Sequence, residues 1–180
     1  MKTTQYGSRK EWLDSEKKRH LTAGVIIDST KVRVDANSKK TVPDGMVLGK
    51  ITATGKYAPL KATRVTGGAG ATQASCVVEE VTNFQVGDEV TIGANTKTIT
   101  AIDYVTKTIS WTGDIVVAEG DVVKSTDGSG VAAAILAEHA DLTDGDGKFG
   151  AIDWARVREA RLPIKLTAAS KAELNQITFV

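Results

Sequence analysis

The chain has 180 residues, 41% of them hydrophobic, which is enough to bury one sizeable core or one core with a small satellite module. Because 23 Lys and Arg residues stand against 22 Asp and Glu residues, the formal net charge is +1, and nucleic acid is not expected as a main partner. The one cysteine, Cys76, excludes an internal disulfide and a multi-cysteine metal site, as is usual in a reducing cytosol. It is predicted to be a small buried apolar residue.

Residues 1–21 are almost entirely polar or charged, and their larger apolar side chains are spaced too widely to form a continuous face. By itself this segment is predicted to be a disordered tail or a short helix through EWLDSEKKRHL. Its functional interpretation is an arm that becomes ordered on a partner surface, with Tyr6, Trp12, Leu13 and Leu21 as anchors. It lacks the apolar stretch of a secretory signal, and no uncharged run approaches the roughly 18 residues of a membrane span, so no membrane partner is expected.

The next segments favour short strands joined by turns. GVIID and KVRVDA are two strand-like runs, and PDG at 43–45 predicts a turn that leads into a strand through Val47 and Ile51. The Gly-rich stretch TRVTGGAGATQAS is predicted to be a linker or broad loop and marks a candidate domain boundary. From Cys76 to Lys124, short β-type runs alternate with Gly-Asp, Ala-Asn and Thr-Gly-Asp turns, which predicts a compact antiparallel module or small barrel.

The last third mixes turns, apolar runs and one helical segment. STDGSG at 125–130 and DGDGK at 144–148 are predicted turns, while VAAAILAEHADL is ambiguous between a buried strand and a helix. TAASKAELNQ has the Thr start and the Ala, Leu and Glu content of a short helix, and ITFV at the end is typical of a strand. Trp111 and Trp154 are predicted to be core residues.

No motif assembles a catalytic, cofactor or metal site. The Gly-rich stretch lacks both the P-loop Lys and the G-x-G-x-x-G spacing, and DLTDGDGK departs from the calcium-loop pattern because Lys148 replaces an oxygen ligand. His20 and His139 are far apart, without the spacing of a zinc hydrolase. Ser129 lies in a turn and lacks the G-x-S-x-G context, so it is predicted to be a turn residue.

The segment DGSGVAAAILAEHAD, at 127–141, resembles part of the head decoration proteins of lambda-type bacteriophages, the capsid-stabilising protein D family. In that family a turn of the form D-G-x-x-x-A-x-A-I-L precedes a polar stretch and an Asp. The likeness continues upstream through TVPDGMVLGKITATGKYAPL and downstream through ARV at 155–157, LP at 162–163, the helical segment at 168–176 and ITFV at 177–180. The order of these pieces along the chain carries the resemblance.

The resemblance implies a mainly β protomer of the β-clip or β-tulip kind, with one or two short helices, that forms a homotrimer. Residues 22–62 and 122–180 would form the decoration core, residues 63–121 an inserted small antiparallel β barrel-like module, and residues 1–21 a capsid-binding arm. The implied function is that of a late structural protein of the virion, made in the host cytoplasm. It would bind the major capsid protein on the outer capsid surface and stabilise the head, with no enzymatic activity, catalytic residue, cofactor or metal.

Two alternatives belong to other classes of function. The first is a carbohydrate- or surface-binding β module on a virion or cell surface, with Trp111 and Tyr104 as an exposed sugar platform; burial of both rings would count against it. The second is a hydrolase that uses the acidic turn around Asp141, Asp144 and Asp146, for which the sequence offers no assembled set of catalytic residues.

Overall fold

The computed structural model describes residues 12–180, and strands account for 48% of these residues against 7% for helices, so the fold is mainly β. The strands of the described residues are, in chain order, β1 (Leu13–His20), β2 (Val25–Ile27), β3 (Thr41–Val42), β4 (Val47–Lys50), β5 (Tyr57–Pro59), β6 (Ala62–Gly67), β7 (Gly70–Val78), β8 (Glu89–Ile92), β9 (Asn95–Asp103), β10 (Thr108–Val117), β11 (Val122–Ser125), β12 (Ala132–Leu136), β13 (Ala140–Asp141), β14 (Gly147–Phe149), β15 (Ala151–Val157) and β16 (Ile177–Phe179). The helix α1 spans Ala168–Glu173, and two short 3-10 turns span Ser29–Lys31 and Glu159–Arg161.

An eight-stranded sheet forms one part of the molecule, called here the body. Its strand order is β1-β15-β12-β4-β5-β2-β14, and β16 pairs in parallel with β15. The apolar run of β12 lies in the middle of this sheet, which resolves the strand-or-helix ambiguity in favour of a strand. The helix α1 lies beside β12, and its Glu173 carboxylate accepts a hydrogen bond of 2.7 Å from the backbone N–H of Ala132.

The other part is a closed barrel of six strands, in the order β10-β7-β6-β11-β8-β9, all paired antiparallel. Its strands alternate as half-buried strands should: along β8, Val90 and Ile92 are buried, while Glu89 is exposed. The barrel has its own apolar core, which includes Phe84 and Trp111 and shares no residue with the core of the body. The predicted barrel-like module is therefore confirmed, and closure removes the free edges that an open sheet would leave.

The chain enters the barrel at Ala62 and leaves it at Ser125, whereas the sequence placed the inserted module at 63–121. The two crossings lie side by side, because the N–H of Ser125 donates to Lys61 O at 2.9 Å and the N–H of Lys61 donates to Ser129 O at 3.0 Å. Lys61 is fully buried there, and its ammonium lies 2.7 Å from both carboxylate oxygens of Asp88 in the barrel. Backbone hydrogen bonds and one buried ion pair thus hold the barrel to the body.

Three local predictions are wrong. Residues 13–20 form the strand β1, not a helix or tail, because β15 supplies a pairing edge that the sequence does not reveal. KVRVDA forms no strand; its start lies in a 3-10 turn that Asp28 caps by accepting from the N–H of Thr30 at 2.9 Å. The Gly-rich stretch is not a linker but the hairpin of β6 and β7, with its glycines at the turn.

Within residues 12–180, no helix is long and apolar enough to cross a membrane.

Candidate docking surface

The start of the described chain is fixed to the body by Trp12. The indole Nε1 donates to Asp44 at 3.0 Å, and the carbonyl of Trp12 accepts a hydrogen bond of 2.8 Å from the N–H of Arg158. The ring lies directly on Gly45, where a Cβ would come within 2.8 Å of it and where the φ of +79° also favours glycine. Trp12 therefore packs on the PDG turn that precedes β4.

These positions change the interpretation of the predicted arm. Trp12 and Leu13 are buried in the core of the body, and Leu21 packs half-buried against that core, so the fold itself occupies these three anchors. They are not available to a partner while β1 is in place, because the same side chains cannot fill both surfaces. Tyr6, the fourth predicted anchor, lies outside the described residues. Of the four predicted anchors, the described residues therefore place three in the fold of the body.

The strand β1 lies at one end of the sheet. It pairs with β15 on one side, and within residues 12–180 no strand pairs with its other side. The side chains from Lys17 to His20 are exposed, and the register with β15 shifts twice along the pair. Charged residues and bulges are the usual features of an edge strand that must not pair indiscriminately. This edge can accept a further strand only from a partner that tolerates those features.

Ion pairs tie β1 to β15 on the exposed face. The guanidinium of Arg19 donates to both Asp153 oxygens at 2.9 and 2.8 Å, and it also donates to Gln176 at 2.5 Å. Hydrogen bonding from Arg19 lowers the pKa of the Asp153 carboxyl below its usual value. On the same strand pair, Asp14 accepts from Arg156 at 2.9 Å and from Arg158 at 3.1 Å. The guanidinium groups are therefore held in place before any partner arrives.

Trp154 lies among these charges and is 43% exposed. The prediction that it is a core residue is wrong, while the same prediction for Trp111, which is 4% exposed, is confirmed. Along β15, Ala155 and Val157 point into the core, whereas Trp154 and Arg156 point outwards. No local signal in the sequence distinguishes a tryptophan that fills a core from one that lies on the outside of a strand.

The two rings of the sugar-binding alternative do not lie side by side on the surface. Trp111 lies inside the barrel, and the Tyr104 hydroxyl donates to Phe84 O at 3.1 Å, with the Arg33 guanidinium 4.1 Å from the Tyr104 ring centre. One ring of the proposed sugar platform is thus buried, and Arg33 covers a face of the other. An exposed pair of stacking rings does not exist at these positions.

Two carboxylates of the acidic turn form structural hydrogen bonds. Asp146 binds Lys56 at 2.6 Å and accepts the N–H of Ser29 at 2.8 Å, and these hydrogen bonds lower its pKa to about 2. Asp141 accepts the N–H of Thr143 at 3.0 Å. Across residues 12–180, no group of three or more His, Cys, Asp or Glu side chains is arranged to hold a metal ion.

Ser129 and Cys76 are both buried. Ser129 donates its N–H and its hydroxyl to Asp127, at 2.9 and 2.5 Å, and so acts as the turn residue that the sequence predicts. Cys76 lies in the barrel core, as predicted, where burial raises the pKa of its thiol to about 11. Neither side chain has the environment of an activated nucleophile.

No model of a known protein family, no curated protein sequence and no solved structure matches the chain.

Proposed function

We propose that this chain decorates the outer surface of an assembled bacteriophage head as a homotrimer, binds the major capsid protein and stabilises the shell. The observation that carries the proposal is that the segments on either side of the barrel, which resemble decoration proteins, fold together into one body. The upstream run that resembles decoration proteins supplies β4 and β5, and the downstream runs supply β12, part of β15, α1 and β16. All of these elements belong to the body, although the barrel separates them in the sequence.

The Asp127–Gly130 turn, which begins the resembling segment, is built into this body. Gly128 has a φ of +98°, and a Cβ there would lie 2.5 Å from Lys50 O on β4, so the turn requires glycine. Asp127 accepts hydrogen bonds from Ser125 and Ser129 and pairs with Lys31 at 2.9 Å. A decoration protein needs a body that stays rigid under load, and a turn fixed in this way contributes to that rigidity.

Attachment is assigned to residues 1–11, which precede the anchored Trp12 at the edge of the sheet. A short segment that adds main-chain hydrogen bonds and a few side-chain contacts to a partner binds weakly by itself. Three such segments in a trimer act together, because binding of the first raises the effective concentration of the other two. Weak arms and a rigid body together suit a protein that covers a preassembled surface.

The test is cosedimentation with assembled heads of a lambda-type phage prepared without their own decoration protein. The full chain is expected to sediment with the heads and to raise their melting temperature. A variant that begins at Glu11 or Trp12 is expected to keep its circular dichroism spectrum and its trimeric mass in solution but to lose at least about tenfold in head binding. A longer truncation, through Leu21, does not serve as the test, because it also removes β1.

Failure of the full chain to bind such heads would contradict the proposed function. Undiminished binding by the variant without residues 1–10 would contradict attachment through this segment, but it would not contradict the proposal that the chain decorates the head. A monomeric mass for the full chain, both free and on the heads, would refute the trimer.

A further inference from the structure

Trp154 lies in a surface depression of about 520 Å³ on the outer face of the body. In the sheet register, Arg19 on β1 is directly opposite Trp154, and Thr178 on β16 is directly opposite Arg156. Directly opposite residues in a sheet present their side chains on the same face. Arg156 on the same strand and Lys17 on β1 line the depression with the ring, whereas the Arg19 guanidinium is bound to Asp153 and does not line it.

The balance of charge at this depression is positive. Lys17 and Arg156 line it together with the one carboxylate of Asp14, and Asp14 also binds Arg158. Each of the arginines is held by a carboxylate of this chain. Arg156 uses its Nε for the contact with Asp14, and a guanidinium carries further N–H donors beyond that one.

We propose that the depression around Trp154 docks an acidic segment of a protein on the phage shell. The indole supplies the apolar contact, and the guanidinium groups receive the carboxylates. Tryptophan and arginine are the residue types that most often dominate the energy of protein interfaces. Preorganised guanidinium groups lose less side-chain entropy on binding than mobile ones. The inference rests on the proposed function for the source of the partner, not for its chemistry.

A protein fits this surface better than a nucleic acid does. Asp14 lies between the cations, where it would repel a phosphate backbone, whereas a folded partner can place its carboxylates at Lys17 and Arg156 and avoid this position. The formal net charge of +1 also leaves no wide basic field to attract a polyanion.

The experiment uses the full chain and the same heads as above. Trp154→Ala and Arg156→Glu are each expected to lower head binding about tenfold or more, and Trp154→Phe is expected to retain most of it. Lys148→Glu, on the opposite edge strand β14, is the matched control for charge reversal and is expected to bind like the unchanged chain. Unchanged circular dichroism and melting temperature show that each variant folds.

A second experiment distinguishes failure of this inference from failure of the proposed function. A glutamate-rich peptide is titrated against the full chain and the Trp154→Phe variant, and a single-stranded oligonucleotide is titrated in parallel. Peptide-dependent quenching that disappears in Trp154→Phe supports the acidic partner even if the heads are not bound. Absence of that quenching, tighter binding of the oligonucleotide, or normal head binding by both Trp154→Ala and Arg156→Glu overturns the inference while leaving decoration itself intact.

Discussion

Lys61 shows how one residue serves the junction between body and barrel. Its side chain is fully buried, and its ammonium contacts both oxygens of Asp88, which also accepts the N–H of Gln85 at 2.8 Å. Burial lowers the pKa of Lys61, although Asp88 favours the charged form. Charges taken out of water are tolerated only when they are paired, so each member of this pair depends on the other.

Lys61→Met is expected to destabilise the protein by about 3–5 kcal/mol, because it leaves the Asp88 carboxylate buried without its cation. The free energy of unfolding from chemical denaturation is the measurement. Lys56→Met is the matched control, since its ion pair with Asp146 lies at the surface. That variant is expected to lose much less stability, because ion pairs exposed to water contribute little. Equal losses for the two variants would show that burial of the Lys61 pair carries no special weight.

At the scale of the element, β1 is part of the fold and not an independent arm. Leu13 at its start lies in the core of the body beside Trp12, and its charges pair with β15. Removing a strand with such residues uncovers the apolar surface of its neighbours and leaves the β15 hydrogen-bonding groups unpaired.

A variant that lacks residues 1–21 is therefore expected to be several kcal/mol less stable than one that lacks residues 1–10, since loss of Trp12 alone costs about 3–5 kcal/mol. Thermal unfolding of the two variants compares them directly. Equal melting temperatures would mean that β1 contributes nothing to the folded body. In that case residues 1–21 could form the arm, as the sequence predicts.

For the whole molecule, the junction also makes stability depend on pH. Asp127 follows the last barrel strand and pairs with Lys31 of the body. Burial alone would raise the pKa of Asp127, but hydrogen bonds from Ser129, Lys31 and Ser125 outweigh it, and the pKa lies well below its usual value. The folded state therefore binds a proton less readily than the unfolded state, whose Asp pKa is about 3.9.

The stabilisation by Asp127 is thus present in full above about pH 4 and is lost as the pH falls below it. The melting temperature is expected to begin to drop near pH 4 and to go on dropping below pH 3, because the pKa of Asp127 in the folded state lies well below 3.9. Asp127→Asn is expected to be less stable at neutral pH and to lose less on acidification than the unchanged chain. Parallel pH profiles for the two proteins would remove Asp127 from the acid response.

The barrel and the edge strand differ in how far the sequence could predict them. Val90 and Ile92 alternate with polar residues between two turn signals, so the pattern for a barrel strand is complete within a few residues. The strand β1 shows no such alternation. What makes it a strand is its pairing with β15, where Arg19 contacts Asp153, a residue 134 positions away along the chain. For the same reason the predicted anchors Trp12 and Leu13 were assigned to a partner instead of the core.

The sequence by itself determined the β-rich class, the existence of the barrel, the turn at Asp127–Gly130 and the helix that begins after Thr167. Each depends on local periodicity or on the chemistry of a turn or cap, for which the neighbouring residues suffice. Tertiary structure alone decided that Lys61 is buried, that β1 is a strand and that Trp154 faces outwards. These outcomes depend on which distant strand covers which face, and that choice is made by packing the whole chain around two cores.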